Sequence, residues 1–222
     1  AAYVTEQLGS ELNYICTINE ANMGLQLAAI SKRFMLMAQQ AAKAAAAGKK
    51  AEGTVQVGMN FEKMMENRKY AAAENNEVFG TPQPQVFVSS RTPAGDALVF
   101  RAHQAAKEAV KALYPDIKVG ITLSMHDLQA LEGGEQYAAD AWDEEFRHYL
   151  PFIRDDDFLG VQNYTRTQYG PEGQLPCPEG AELTQMDYEF YPEALEHVIR
   201  RVHQDFKGDL IVTENGVAVS DD

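Results

Sequence analysis

Two glutamates stand where apolar runs end. "NYICTINEAN" (residues 13–22) delivers Glu20 directly behind Asn19, and "DLIVTENGVA" (209–218) delivers Glu214 behind Thr213. A pair of carboxyl groups can cleave a glycosidic bond if the fold brings them face to face. About 5–5.5 Å apart, one attacks the anomeric carbon while the other protonates the departing oxygen; about 6.5–9.5 Å apart, they admit a water and invert the product. The proton donor must hold its proton near neutral pH, which burial and a neighbouring negative carboxylate favour. The nucleophile must stay ionised, which hydrogen-bond donors around it support. A strand-end glutamate can also be a solvated rim residue, and two matched instances weigh against that reading.

The elements that must position these groups alternate along the chain. Residues 13–18 form a short β-rich run. Ile117, Val119, Ile121 and Leu123 recur at period two after Pro115-Asp116, and 157–164 and 209–214 read as two further strands. Leu195, Val198, Ile199, Val202 and Phe206 recur at helical spacing between Pro192 and Gly208. Leu98, Ala102, Ala105, Ala109, Val110 and Leu113 repeat the pattern up to Pro115, and 139–153 reads as a weaker third helix. Strands alternating with helices indicate βαβ units and a parallel sheet. Four strands with three linking helices make about half of an α/β (β/α)8 TIM barrel, whose strand C-termini point into a shared mouth. A doubly wound sheet is disfavoured because no Gly-rich phosphate loop follows a strand. The chain reads as one partial barrel domain, 1–222, elaborated over about 24–94. That stretch holds an Ala-rich helical run, roughly Leu25 to Ala47, a "TPQPQ" segment at 81–85, and Met23, Met35, Met37, Met59, Met64 and Met65, read as adaptable packing.

Net charge is −14, with 45% hydrophobic and 23% charged residues. Such acidity argues against nucleic acid or an anionic membrane surface as a partner, and no run of 18 apolar residues exists to span a bilayer. Cys16 and Cys177 have neither metal nor redox spacing; Cys16 is expected to be a small buried hydrophobe, and a reducing cytoplasm is favoured. His103, His148, His197 and His203 lie on helices without i,i+4 pairing and read as surface residues, so no metal site and no cofactor are indicated. His126 and Asp127 face the mouth, with a structural hydrogen bond favoured over sugar contact. The first residues, "AAYVTEQLG", read as a helix capped by Gly9. Both ends of the chain look cut, and no signal peptide opens it.

The motifs carry a resemblance. "TINEAN" resembles the TFNEP or TLNEP motif of glycoside hydrolase family 1, the β-glucosidase family, and "IVTENG" resembles its ITENG motif. "AHQAAKEAVKALYPDIKVGITLS" looks like the family's fourth helix and fifth strand, and "DFLGVQNYT" like its sixth-strand motif, DFIGINYYT. The likeness covers nearly all of this chain, roughly the fourth to seventh strands of a complete member. It implies a retaining β-glycosidase acting on a small-molecule β-glycoside or oligosaccharide. Glu20 is then similar to the family's acid/base and Glu214 to its nucleophile. Asn19 matches the asparagine that contacts the sugar 2-hydroxyl, and Tyr164 the tyrosine beside the nucleophile. Ala21 stands where the family has proline, which is expected to loosen the turn. Gln162 and Asn163 depart from the motif, and no role is carried to them. The sugar-binding residues of the family's first strands and eighth strand have no counterpart here. An isolated half-barrel is therefore expected to be weakly active or inactive and to self-associate through its open edges. A non-catalytic sugar-binding or purely structural half-barrel is the alternative from another class.

Overall fold

A computed structural model of the chain describes residues 1–28, 61–84 and 89–219. In order, the elements are α1 (Ala2–Leu8), β1 (Tyr14–Cys16), α2 (Phe61–Phe79), α3 (Pro93–Leu113), β2 (Lys118–Ser124), β3 (Asp127–Ala130), α4 (Glu135–Glu145), β4 (Phe158–Gln162), β5 (Arg166–Gly170), β6 (Gly173–Gln174), α5 (Ala194–Asp205) and β7 (Asp209–Glu214). The main sheet runs β1-β2-β4-β7 with every pair parallel. Spatial order follows chain order, and α3, α4 and α5 each lie in one crossover. A doubly wound sheet reverses direction at a switch point; this one winds one way only, as a barrel does. The four expected strands are all present, β1 being shorter than the run at 13–18. The fold is that of part of an α/β TIM barrel.

The two faces of the inner strands differ, and the difference is what builds the site. Ile121, Leu123, Leu159 and Val161 form one alternate row, buried with Trp142, Phe146 and Tyr149 of the α4 region and with Val198, Val202 and Phe206 of α5. Each such large side chain, fully buried, contributes about 1.5–3 kcal/mol. The other alternate row starts at Phe158, buried beside Gly120, and beyond it holds Thr122 and Ser124 on β2 and Gly160 and Gln162 on β4, all small or polar. The helices thus take the apolar face, leaving a polar one for chemistry.

Several local expectations need correction. The apolar stripe chosen for α3 is largely on the outside: Leu98 and Leu113 are exposed, and the buried stripe is Asp96, Val99, Phe100, His103 and Val110. Both stripes have helical spacing. The buried one was passed over because it carries an aspartate and a histidine whose partners lie elsewhere in the chain. The helix expected at 139–153 starts earlier and breaks, with α4 ending at Glu145 before short turns at Arg147–Tyr149 and Leu150–Ile153. Gly9 has φ −59°, so it is no left-handed cap. It is needed because a Cβ there would lie 2.4 Å from the Tyr114 ring. Cys16 is exposed rather than buried, since β1 is an edge strand with no outer neighbour among the described residues. A second sheet, β3-β5-β6, lies just past the ends of β2 and β4 and went unread because "RTQYG" has no apolar alternation.

Of the stretch 24–94, the Ala-rich run lies outside the described residues apart from its start, where 23–28 are helical. The helix α2 was not foreseen, while 81–84 are neither helix nor strand, as the prolines require. No described helix is long and apolar enough to cross a membrane.

Candidate active site

Glu214 is the last residue of β7, and a bulge aims it. Val161 pairs with Val212, but Gln162 pairs with Glu214, so the register shifts by one residue across Thr213. In unbroken alternation Glu214 would turn away from the row holding Gln162; the extra residue restores it to that row. There both carboxylate oxygens are engaged. Gln162 Nε2 donates to Oε1 at 2.8 Å, and the Tyr164 hydroxyl donates to Oε2. Burial and the hydrogen bond to Glu214 push the Tyr164 phenol well above its ordinary range, with the charges of Glu214 and Glu20 acting in the same direction. Tyr164 is thus kept as a donor.

Glu20 arrives differently. After β1 the chain stays bonded to β2 through Thr17 N–H to Gly120 O (2.9 Å) and Thr122 N–H to Ile18 O (3.2 Å). Glu20 then adopts φ +47°, a left-handed conformation that disfavours a side-chain-bearing residue by roughly 1–3 kcal/mol unless its surroundings enforce it. They do. Glu20 N–H donates to Thr122 Oγ1 at 2.8 Å, and Ala21 N–H donates to Thr122 O at 2.9 Å. Ala21 O accepts from Arg91 Nη1 and from the Tyr149 hydroxyl. Buried Asn22 pairs with Ser124 in both directions, accepting from its N–H at 2.9 Å and donating to its carbonyl at 2.6 Å. The turn is therefore pinned, not loosened, by alanine at 21. A proline could not make the bond to Thr122 O, and it steers its preceding residue to extended backbone.

Asn19 closes the group. Its Oδ1 accepts from Gln162 Nε2 (2.7 Å) and Thr122 Oγ1 (3.0 Å), which leaves Nδ2 without a partner among the described residues. The four residues singled out by sequence, Asn19, Glu20, Tyr164 and Glu214, thus belong to one connected cluster. Burial, and then the negative charge of Glu214, raise the Glu20 carboxyl above the ordinary carboxylate range. Its carboxyl has no hydrogen-bond partner among the described residues.

Gln162 and Thr122 tie the cluster together, and sequence reading missed both. The signal was available: period-two alternation puts them opposite the apolar row of the same strands. His126 and Asp127 are engaged structurally, His126 with Glu145 at 2.9 Å and Asp127 with His197 at 2.8 Å. His103 is not a surface residue. It is fully buried and hydrogen-bonded to Thr17 (2.6 Å), just past β1, and to Asp156 (3.2 Å), partners that helical spacing alone cannot show. Among the described residues no group of three or more His, Cys, Asp or Glu could hold a metal ion.

The fold is β-glycosidase-like, as the solved structures similar to it are glycosidases. No family model and no curated protein matches the chain. Among solved structures, the β-glycosidase BGL167 is 34% identical over the whole chain with a TM-score of 0.72. An apo β-glucosidase, 1317, is 28% identical over the whole chain with a TM-score of 0.70. The β-glycosidase of Thermosphaera aggregans, 17% identical over 99% of the chain at a TM-score of 0.60, shows the shared fold alone. The chain spans about half the length of these structures: 47%, 48% and 42%.

Proposed function

We propose that the protein to which this chain belongs is a retaining β-glycosidase of family 1 type, with Glu214 as nucleophile and Glu20 as acid/base. In the first step the Glu214 carboxylate forms a bond to the anomeric carbon, the bond to the leaving oxygen breaks, and Glu20 gives that oxygen its proton. In the second, Glu20 takes a proton from water, the water oxygen bonds the anomeric carbon, and Glu214 is released. Asn19 Nδ2 donates to the sugar 2-hydroxyl. The observation that carries the reading is the asymmetry of the two carboxyls in one cluster. Glu214 has a donor on each oxygen; the Glu20 carboxyl has no hydrogen-bond partner among the described residues, and its proton affinity is raised by burial and by Glu214. That matches the division of labour between nucleophile and acid.

The test uses the full-length protein, an aryl β-glucoside and a 2-deoxy-2-fluoro-β-glucoside inactivator. Retained anomeric configuration and a covalent label on the peptide bearing Glu214 are expected. Inverted product, or label on another residue, refutes the mechanism. The 222-residue chain alone is a weak or inactive catalyst that self-associates through β1 and β7, whose outer edges are unpaired among the described residues. Sedimentation of the isolated chain as a monomer refutes that association. The free thiols Cys16 and Cys177 support a cytoplasmic setting.

A further inference from the structure

We infer that Thr122 is a positioning residue for the proton transfer, its hydroxyl and carbonyl fixing the backbone from which Glu20 projects. The inference rests on the reading of Glu20 as acid/base and goes beyond it.

Thr122 is almost wholly buried, and its hydroxyl is fully used. It accepts from Glu20 N–H at 2.8 Å and Gln162 Nε2 at 3.2 Å, and gives its one hydrogen to Asn19 Oδ1 at 3.0 Å. A hydroxyl has one donor and two acceptor positions; the second acceptor position shares with Asn19 and Glu214 the two hydrogens of the Gln162 amide. The same residue's carbonyl accepts from Ala21 N–H, and its own N–H goes to Ile18 O. One residue of β2 therefore holds the chain on both sides of Glu20, at the place where the backbone is left-handed. The rotamer is set by packing as well. A Cβ on Gly160 would lie 2.6 Å from the Thr122 methyl, so glycine at 160 makes the room in which that methyl sits.

Isosteric removal of the hydroxyl should therefore displace Glu20 more than Glu214. Gln162 keeps its shorter bonds to Asn19 (2.7 Å) and Glu214 (2.8 Å) when its longer one is lost, whereas Glu20 N–H loses its one side-chain acceptor among the described residues. Misplacing a catalytic group by about 1 Å can lower its step roughly 10²-fold. The effect is selective in a way a general loss of structure is not. A dinitrophenyl β-glucoside departs without protonation, while a methyl or alkyl β-glucoside needs the acid.

The experiment measures kcat/KM on both substrate types for the full-length protein, Thr122→Val, Thr122→Ser and Glu20→Gln. In Thr122→Val the ratio of alkyl to dinitrophenyl kcat/KM is expected to fall about ten- to hundred-fold, in the direction of Glu20→Gln. Thr122→Ser, which keeps the hydroxyl, recovers most of that fall. If Thr122→Val does not fold, Thr122→Ala read against Thr122→Ser carries the same comparison. An unchanged ratio in the hydroxyl-less variant, while Glu20→Gln remains selective, overturns the role of Thr122 alone. A Glu20→Gln variant that lowers both substrates equally overturns the acid/base reading, and the role of Thr122 with it.

Discussion

The two glutamates reach one cluster by opposite means. Glu214 ends a regular strand; its backbone lies in the β7–β4 ladder and its side chain is gripped by Gln162 and Tyr164. Glu20 lies past the end of its strand, its backbone strained at φ +47° and gripped by Thr122, while its carboxyl has no hydrogen-bond partner among the described residues. Under the proposed mechanism, the contrast follows from what each must do. A nucleophile has to meet one carbon along one line, so holding the carboxylate itself is useful. A proton donor that later acts as base has to serve first a leaving oxygen and then a water, so a fixed backbone beneath an unbonded carboxyl suits it better.

The largest test of that contrast removes each carboxyl in the full-length protein. Glu214→Gln is expected to abolish turnover on every substrate, since no bond to the anomeric carbon can form. Glu20→Gln is expected to lower kcat/KM about 10²–10⁴-fold on alkyl glucosides and far less on dinitrophenyl glucosides. Equal losses on both leaving groups in the second variant break the comparison at once.

A smaller effect sharpens it. Tyr164→Phe and Gln162→Leu each remove one donor from Glu214. A hydrogen bond to a charged group is worth about 1.5–3 kcal/mol, and about 1.4 kcal/mol is tenfold. Each variant is therefore expected to lose about 10–100-fold in kcat/KM, on alkyl and dinitrophenyl substrates alike, because the nucleophile serves both. Steady-state kinetics on the two substrates checks it. A leaving-group preference appearing in Tyr164→Phe would place that residue with the acid instead.

How much of this was legible follows from the same contrast. β7 and Glu214 could be read directly, because "DLIVTE" is a strand and its glutamate ends it. The four strands, their parallel order and α5 were legible for the same reason: apolar period and chain order carry them. The bulge at Thr213 was not, since one extra residue in a ladder leaves no mark on the apolar pattern. On the Glu20 side, the motif pointed to the residue but not to how it is held. The proline-to-alanine change suggested a looser turn. What decides the matter is an acceptor on β2, remote in sequence, that the Ala21 N–H can reach. Of the buried polar residues of α3, His103 was misread likewise and Asp96 carried no signal. His103 needs Thr17 and Asp156, and Asp96 needs Arg91, His148 and Tyr149. Propensity sees single residues, whereas burial of a polar group is decided by a partner.

The coupling between the two carboxyls gives a pH prediction. Glu20 is raised by burial first and by the charge of Glu214 second, so replacing Glu214 by glutamine removes only the second cause. The Glu20 carboxyl should then titrate at lower pH in Glu214→Gln than in the parent protein, while staying above the ordinary value of about 4.3. Carbon-13 NMR of labelled glutamate in the full-length protein reads both titrations. The sign for stability follows. The folded state binds the Glu20 proton more tightly than the unfolded chain, so this group's contribution falls as pH rises through the window above the ordinary carboxylate value. A Glu20 titration that does not move on loss of Glu214 would separate the two groups electrostatically and remove the physical basis of the assigned roles.

The smallest expected effect lies just beyond the site, where β2 gives way to His126. Burial lowers the basicity of this imidazole, but the Glu145 carboxylate, which attracts its charge and accepts its Nδ1–H, more than offsets that, and the net direction is upward. A histidine whose folded pKa is raised contributes stability that is complete below the unfolded value of about 6.5 and is lost as pH rises through the folded one. Glu145→Gln removes the charge and leaves one oxygen, which can accept the His126 backbone N–H that Glu145 Oε2 now takes at 3.0 Å, while its Nε2 can donate to Nδ1 of the neutral ring. The variant should therefore lose stability below about pH 6 and match the parent above about pH 8, a difference of about 1–3 °C in melting temperature. Because His126 links α4 to the end of β2, the same comparison tells whether that link is electrostatic or only steric: an equal loss at both pH values identifies packing as the whole of it.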